Sequence, residues 1–148
     1  METRIETQAT PEELWEVLMD FPAYPDWNPM VVGISGQTGL GSHLAVTIAM
    51  KSGRRMTFHA TVVEFEPGRR FAWLGKIWIR GLFDGLHRFE VEAGASGAVF
   101  IHSEEFRGLL PPLLGKVMRD THEGLMAMNE ALVGETERRR SEKLAVRA

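Results

Sequence analysis

The stretch LGKVMRDTHEGLMAMNEAL, from Leu114 to Leu132, sets Leu114, Met118, Thr121, Leu125, Met128 and Leu132 at steps of four and three. That spacing draws one face of an α-helix, and the face is strongly apolar. The pattern predicts a long helix over about Pro111 to Glu137. Beyond it, the run from Arg138 to Ala148 is charged and mixed in sign, which predicts a solvated C-terminal tail (138–148) after a single domain (1–137).

Upstream of that helix lies a series of strand signals. Val31 to Ser35 is one. His43 to Met50 alternates Leu44, Val46, Ile48 and Met50 against polar or small residues, and Ser52-Gly53 marks a hairpin turn. Arg55 to Phe65 carries Met56, Phe58, Ala60 and Val62 on one face. After a turn at Glu66–Arg69, Arg70 to Gly75 carries Phe71 and Trp73. Leu86 to Glu92 groups His87, Phe89 and Val91, and Ala98 to Phe106 groups Phe100, His102, Glu104 and Phe106. At the N-terminal end a short strand over Thr3 to Ala9 precedes a helix start. Thr10 caps it, Pro11 takes the first helical position and Glu13 completes a capping box. Three prolines in Phe21–Pro29 predict a bent connector or a short helical turn.

This order predicts an α+β fold, with a curved antiparallel sheet and helices gathered on one side. One long helix cannot fill the concave space of a strongly twisted sheet, so the remainder becomes a pocket. A pocket that serves a small molecule is expected at roughly 300–1,000 Å³.

The chain of 148 residues has no cysteine, which excludes a disulfide framework, a thiolate metal site and cysteine nucleophilic catalysis. It carries 17 basic and 20 acidic residues, interspersed, for a net charge of −3. No basic face supports nucleic-acid binding. The N-terminal METRIETQATPEEL has no apolar signal core, and no stretch approaches the length of a membrane span. The expectation is a cytoplasmic protein with no stable membrane insertion. The glycines at 33, 36, 39 and 41 lack the strand-to-helix setting of a dinucleotide site and read as turns. No cofactor is called for.

Alternation places His87, His102 and Glu104 on the concave face. His102 and Glu104 are two apart on one strand, with Cα atoms about 6.5 Å apart. In an apolar pocket such groups need partners. They either orient a ligand carbonyl or hydroxyl, satisfy each other and the backbone, or act as acid and base; no residue is assigned as catalytic. His59 falls out of phase with Phe58 and Ala60 and faces outward, so no metal site is expected. Trp27, Met56, Phe58, Phe71, Trp73, Phe89, Met118, Leu125 and Met128 are candidates for the pocket lining or for plain core.

Two greasy segments stand apart. Ile77–Phe83, with Trp78 and Phe83, and Gly108–Leu114 read as apolar loops that mark a binding surface; a homodimer contact is the rival reading and packing onto the core the third.

Five stretches carry a resemblance to a known family: Ala9–Trp15 (ATPEELW), Asp20–Pro29 (DFPAYPDWNP), Phe71–Gly75 (FAWLG), Gly85–Phe89 (GLHRF) and His102–Gly108 (HSEEFRG). Over about residues 2 to 135 the chain resembles the START-like (SRPBCC) superfamily, in particular its bacterial polyketide cyclase/dehydrase and lipid-transport branch. The resemblance implies the helix-grip fold, a curved antiparallel sheet wrapped around a long C-terminal helix with an internal pocket, and it implies that apolar loops such as Ile77–Phe83 and Gly108–Leu114 frame the pocket mouth and gate it. Members of that superfamily bind lipids, steroids, polyketides or plant hormones, cyclise polyketides, or assist a chaperone, and share no catalytic motif. The expected function is therefore binding of a small hydrophobic, lipid-like or polyketide-like molecule, for transport or sequestration. The alternatives are an aromatic polyketide cyclase/dehydrase and a chaperone-associated interaction domain.

Overall fold

The structure, a computed structural model, describes residues 1–76, 84–107 and 114–148. Strand β1 (Glu2–Thr7) leads into helix α1 (Pro11–Met19). The start of α1 is fixed locally. Thr10 Oγ1 accepts from the Glu13 amide at 3.2 Å, and the Glu13 carboxylate accepts from the Thr10 amide at 2.9 Å. A 3₁₀ turn (Phe21–Ala23) and a short helix α2 (Tyr24–Trp27) follow, matching the connector expected from its prolines.

Six more strands come in series: β2 (Val31–Gly36), β3 (His43–Ala49), β4 (Arg55–Glu66), β5 (Arg70–Lys76), β6 (Asp84–Ala93) and β7 (Ala98–Arg107). Their turns use Gly53 (φ +80°) and Gly68 (φ +79°), a conformation that side chains with a Cβ disfavour. Strands β2 to β7 each pair with the next in sequence, and β1 returns to close on β7. The result is one curled antiparallel sheet in the order β1-β7-β6-β5-β4-β3-β2, gripping the long helix α3 (Leu114–Arg147).

The concave face carries the core. Leu44, Val46, Ala60, Val62, Phe71, Trp73, Phe89, Val91 and Phe100 pack with Leu14, Val17 and Leu18 of α1 and with Met128 and Leu132 of α3. A bulge between Val62 and Glu64 shifts the alternation of β4. It puts Phe65 opposite Phe71 on the concave side and sends Glu64 outward, where it meets Arg88 at 2.7 Å. On the outer face Arg70 also meets Glu90 at 2.9 Å, so charge and arginine stems cover the buried Ala72 and Ile101.

Helix α3 differs from expectation at both ends. It continues to Arg147 instead of giving way to a tail at Glu137. Arg139 bonds Asp20 at 2.8 Å, Lys143 bonds Glu16 at 2.7 Å, and Arg140 donates to the Gln8 carbonyl at 3.1 Å. These contacts extend the helix along α1, although most of the side chains after Arg140 are exposed. In the N-terminal half, Met118 and Thr121 are only half-buried and Val117 is exposed; burial begins at Leu125 and continues through Met128, Asn129, Leu132 and Thr136. Among the described residues no helix is long and apolar enough to cross a membrane.

Candidate ligand pocket

Strand pairing decides which polar side chains meet. His87 sits opposite Glu104, and Phe89 opposite His102, across the β6–β7 pair; Thr3 of β1 sits opposite His102 on the other side of β7. Residues directly opposite share a face. All of these point into the concave side, where the sequence periodicity placed His87, His102 and Glu104.

They form one continuous chain of hydrogen bonds. Glu104 Oε2 contacts His87 Nδ1. His87 Nε2 lies 2.6 Å from His102 Nε2, and His102 Nδ1 lies 2.8 Å from Asn129 Oδ1 on α3. Asn129 Nδ2 donates to Thr3 Oγ1 at 2.8 Å, and Thr3 Oγ1 donates to the His102 carbonyl at 3.1 Å.

The donors can be assigned from the Thr3 end. The single hydroxyl proton of Thr3 goes to a carbonyl, so its oxygen must accept from Asn129. The Asn129 amide oxygen then faces His102, whose Nδ1 must carry a proton. Burial holds the His102 ring well below its ordinary value near 6.5, with His87 adding to the effect, so the ring is neutral and its Nε2 is bare. His87 Nε2 must therefore donate. One further proton remains, and it lies between His87 Nδ1 and Glu104 Oε2, as imidazolium with carboxylate or as imidazole with carboxylic acid. The Trp73 ring stacks on His87 with centroids 4.7 Å apart and planes 5° apart, a surface suited to a cationic ring.

Beside this pair lies a cavity of about 70 Å³ between the sheet and α3. Its sheet wall includes Val46, Ile48, Phe58, Trp73, His87 and Glu104, and Thr121 closes it from the helix. The space has a clear origin. Across the concave face Ala60, Gly75, Gly85 and Phe106 stand in one row, so two adjacent strands present no side chain at all. The Phe58 ring leans over Gly75 so closely that a Cβ there would lie 2.7 Å from its Cε2.

The cavity is smaller than the 300–1,000 Å³ expected, because the half of the concave face nearer α1 is packed solid. Phe71, Phe89, Leu125 and Met128, all named as candidate lining, are fully buried and do not line the cavity. His102 is likewise fully buried, behind His87. Trp27 packs half-buried against the core, and its indole N–H has no partner among the described residues. Met56 and Met118 are half-buried outside the cavity wall. Trp78 and Phe83, and the two apolar segments read as gates, lie outside the described residues. No cluster that could hold a metal ion occurs among the described residues, and His59 is exposed.

Sequence reading placed Thr121 on the inward face of the helix without naming it a site residue, and missed Thr3, Asn129 and Gly85. A signal for Asn129 existed, since it interrupts the apolar face of α3 beside Met128 and Leu132.

The fold recurs in solved structures. A START superfamily protein from Mycobacterium smegmatis superposes with a TM-score of 0.75 at 21% identity, over 93% of this chain and 97% of that one. The di-domain ARO/CYC StfQ from the steffimycin biosynthetic pathway gives 0.73 at 14% identity, over 95% of this chain and 51% of its own. Ara h 8.0201 gives 0.71 at 16% identity, over 92% and 95%. At these identities the likeness is one of fold. No curated protein matches the sequence. The family model described as polyketide cyclase / dehydrase and lipid transport matches residues 1–135, from β1 through the buried part of α3, and the chain belongs to that family.

Proposed function

We propose that this chain binds a small, largely apolar molecule, lipid-like or polyketide-like, between the sheet and the N-terminal half of α3. The observation that carries this reading is the apolar cavity over Gly85 and beside the Phe58 ring, with a buried His87–Glu104 pair in its wall. The ligand would extend past the cavity along the concave face toward the half-buried Ile48, Met56 and Phe58. Native mass spectrometry of protein purified from its host tests the reading: a retained small molecule supports it. A mass equal to the bare chain, together with no chemical-shift change at Trp73 or His87 on adding fatty acids or aromatic polyketide analogues, rejects it.

A second reading, a polyketide cyclase/dehydrase-type enzyme, has one observation of its own in its favour. A single proton shared by His87 and Glu104 beside an apolar cavity is a ready source or sink for acid–base steps on a bound enol or ketone. Turnover of a linear polyketide analogue that disappears in His87→Phe supports it; binding without turnover leaves the binding reading alone.

A further inference from the structure

Two polar groups of the cavity are not used by the described residues. Glu104 spends Oε2 on His87, and its Oε1 has no hydrogen-bond partner among the described residues. On the facing helix Thr121 also lines the cavity, and no hydrogen bond among the described residues engages its hydroxyl. That is unusual on this helix. Thr136 and Ser141 each donate back to the carbonyl four residues earlier, at 2.7 and 2.9 Å, the ordinary fate of a helical hydroxyl. Glu104 is 6% exposed and stands in the cavity wall, so little of it is left to solvent outside that cavity.

The relay fixes what that oxygen can do. Thr3 orients Asn129, Asn129 orients His102, and the bare Nε2 of His102 orients His87. The last proton is held between His87 Nδ1 and Glu104 Oε2 in either of its two positions. Oε1 is therefore an acceptor in both: a carboxylate oxygen in one, the carbonyl oxygen of the acid in the other. The Thr121 hydroxyl, by contrast, can donate or accept.

We infer that the cavity selects ligands carrying a hydroxyl, phenolic or enolic group, which donates to Glu104 Oε1 while the Thr121 hydroxyl serves its lone pairs. Ligands with only acceptors, such as ethers and isolated ketones, leave Glu104 Oε1 unpaired in an apolar site and are disfavoured. This rests on the proposed small-molecule binding at the same cavity and names the chemistry it would recognise.

The test uses three probes of similar size on the full chain: phenol, anisole and toluene. Binding is followed by NMR titration at the Trp73 indole and the Glu104 amide. Glu104→Leu should weaken phenol about ten-fold while leaving toluene and anisole within about two-fold, the scale of one buried hydrogen bond. Glu104→Gln should retain a reduced preference, because its amide N–H₂ can donate to His87 and leave its oxygen on the cavity. Thr121→Val sits on a half-buried helix position and serves if Glu104→Leu does not fold; it should cost phenol several-fold and toluene nothing. Phenol and anisole bound equally well, with equal losses in the variants, would overturn the inference and leave the binding reading standing. No binding of any of the three would overturn both.

Discussion

His102 Nε2 faces His87 Nε2 at 2.6 Å across the β6–β7 pair, and one of these two nitrogens carries the proton. The choice is made at a distance. It propagates from the Thr3 hydroxyl, through Asn129, to a neutral His102 protonated on Nδ1. A buried polar network of this kind holds its members in one arrangement because any reversal leaves a donor facing a donor.

The tautomer is directly measurable. Long-range ¹⁵N–¹H correlation should show His102 as the Nδ1–H form and His87 protonated on Nε2. Asn129→Ala removes the acceptor for His102 and the donor to Thr3, and should cost about 1–3 kcal/mol in urea unfolding. Finding His102 protonated on Nε2 in the native protein would reject the donor order along the whole relay.

Folding stability should fall with acid through His102. Its folded-state pKa is depressed by burial and then by His87. Between that value and the unfolded one near 6.5, the unfolded chain binds a proton that the folded chain does not. The stabilisation is therefore complete above the unfolded pKa and lost as pH falls below it, at about 1.4 kcal/mol per pH unit for one proton. His102→Gln should flatten the pH dependence of the urea midpoint by about one proton in that window. An unchanged slope would show that His102 is charged in the folded state.

The facing of His87, His102 and Glu104 was legible in the sequence because no bulge interrupts the pairing of β6 with β7. The start of α1 was legible because Thr10 and Glu13 settle it within one turn. What could not be read depends on distant pairing. Asn129 and Thr3 are 126 positions apart, and neither signals the other. The bulge at Val62–Glu64, which turns Phe65 inward and Glu64 outward, leaves no mark in the alternation of Met56 to Val62. The glycines at 75 and 85 were visible, but their adjacency follows only from the β5–β6 register. The size of the cavity depends on how close α3 lies, and periodicity sets only the direction of its apolar face.

Residues 138–148 should prove a modest stabiliser. Deleting them removes the Arg139–Asp20 and Lys143–Glu16 pairs and frees Glu135, whose carboxyl Arg138 and Arg139 hold down at about 2. That carboxylate contributes stability above its ordinary pKa, and the contribution is lost as pH falls toward about 2. The truncated chain should fold with a Tm only a few degrees lower, since ion pairs this exposed are weak. The gap should narrow in about 0.5 M salt, where the Debye length is only a few ångströms. A chain that fails to fold without these residues would show that the last turns of α3 belong to the core.

The β3–β4 hairpin should act as a salt-sensitive clasp on the N-terminal half of α3. Lys51, at its tip, bonds Glu123 and lies 3.2 Å from Asp120, both on the N-terminal half of α3. Asp120 is shared with Lys116 at 2.7 Å, and these partners hold its carboxyl below the usual value, with Lys116 the larger cause. On this half of α3 Val117 is exposed and Met118 only half-buried, while the Met30 side chain packs close to Gly124. The link therefore joins the hairpin to the helix at a place where packing is thin, and exposed pairs of this kind are screened by salt. Lys51→Ala should leave the Tm essentially unchanged, because the core around Leu125, Met128 and Leu132 does not involve it. Amide exchange in Met50–Arg54 and in the first turns of α3 should accelerate, and the difference from the parent protein should shrink as salt rises. Equal exchange in the two proteins at low salt would show that Lys51 lies free in solution and that the hairpin holds its place through its own strand pairing.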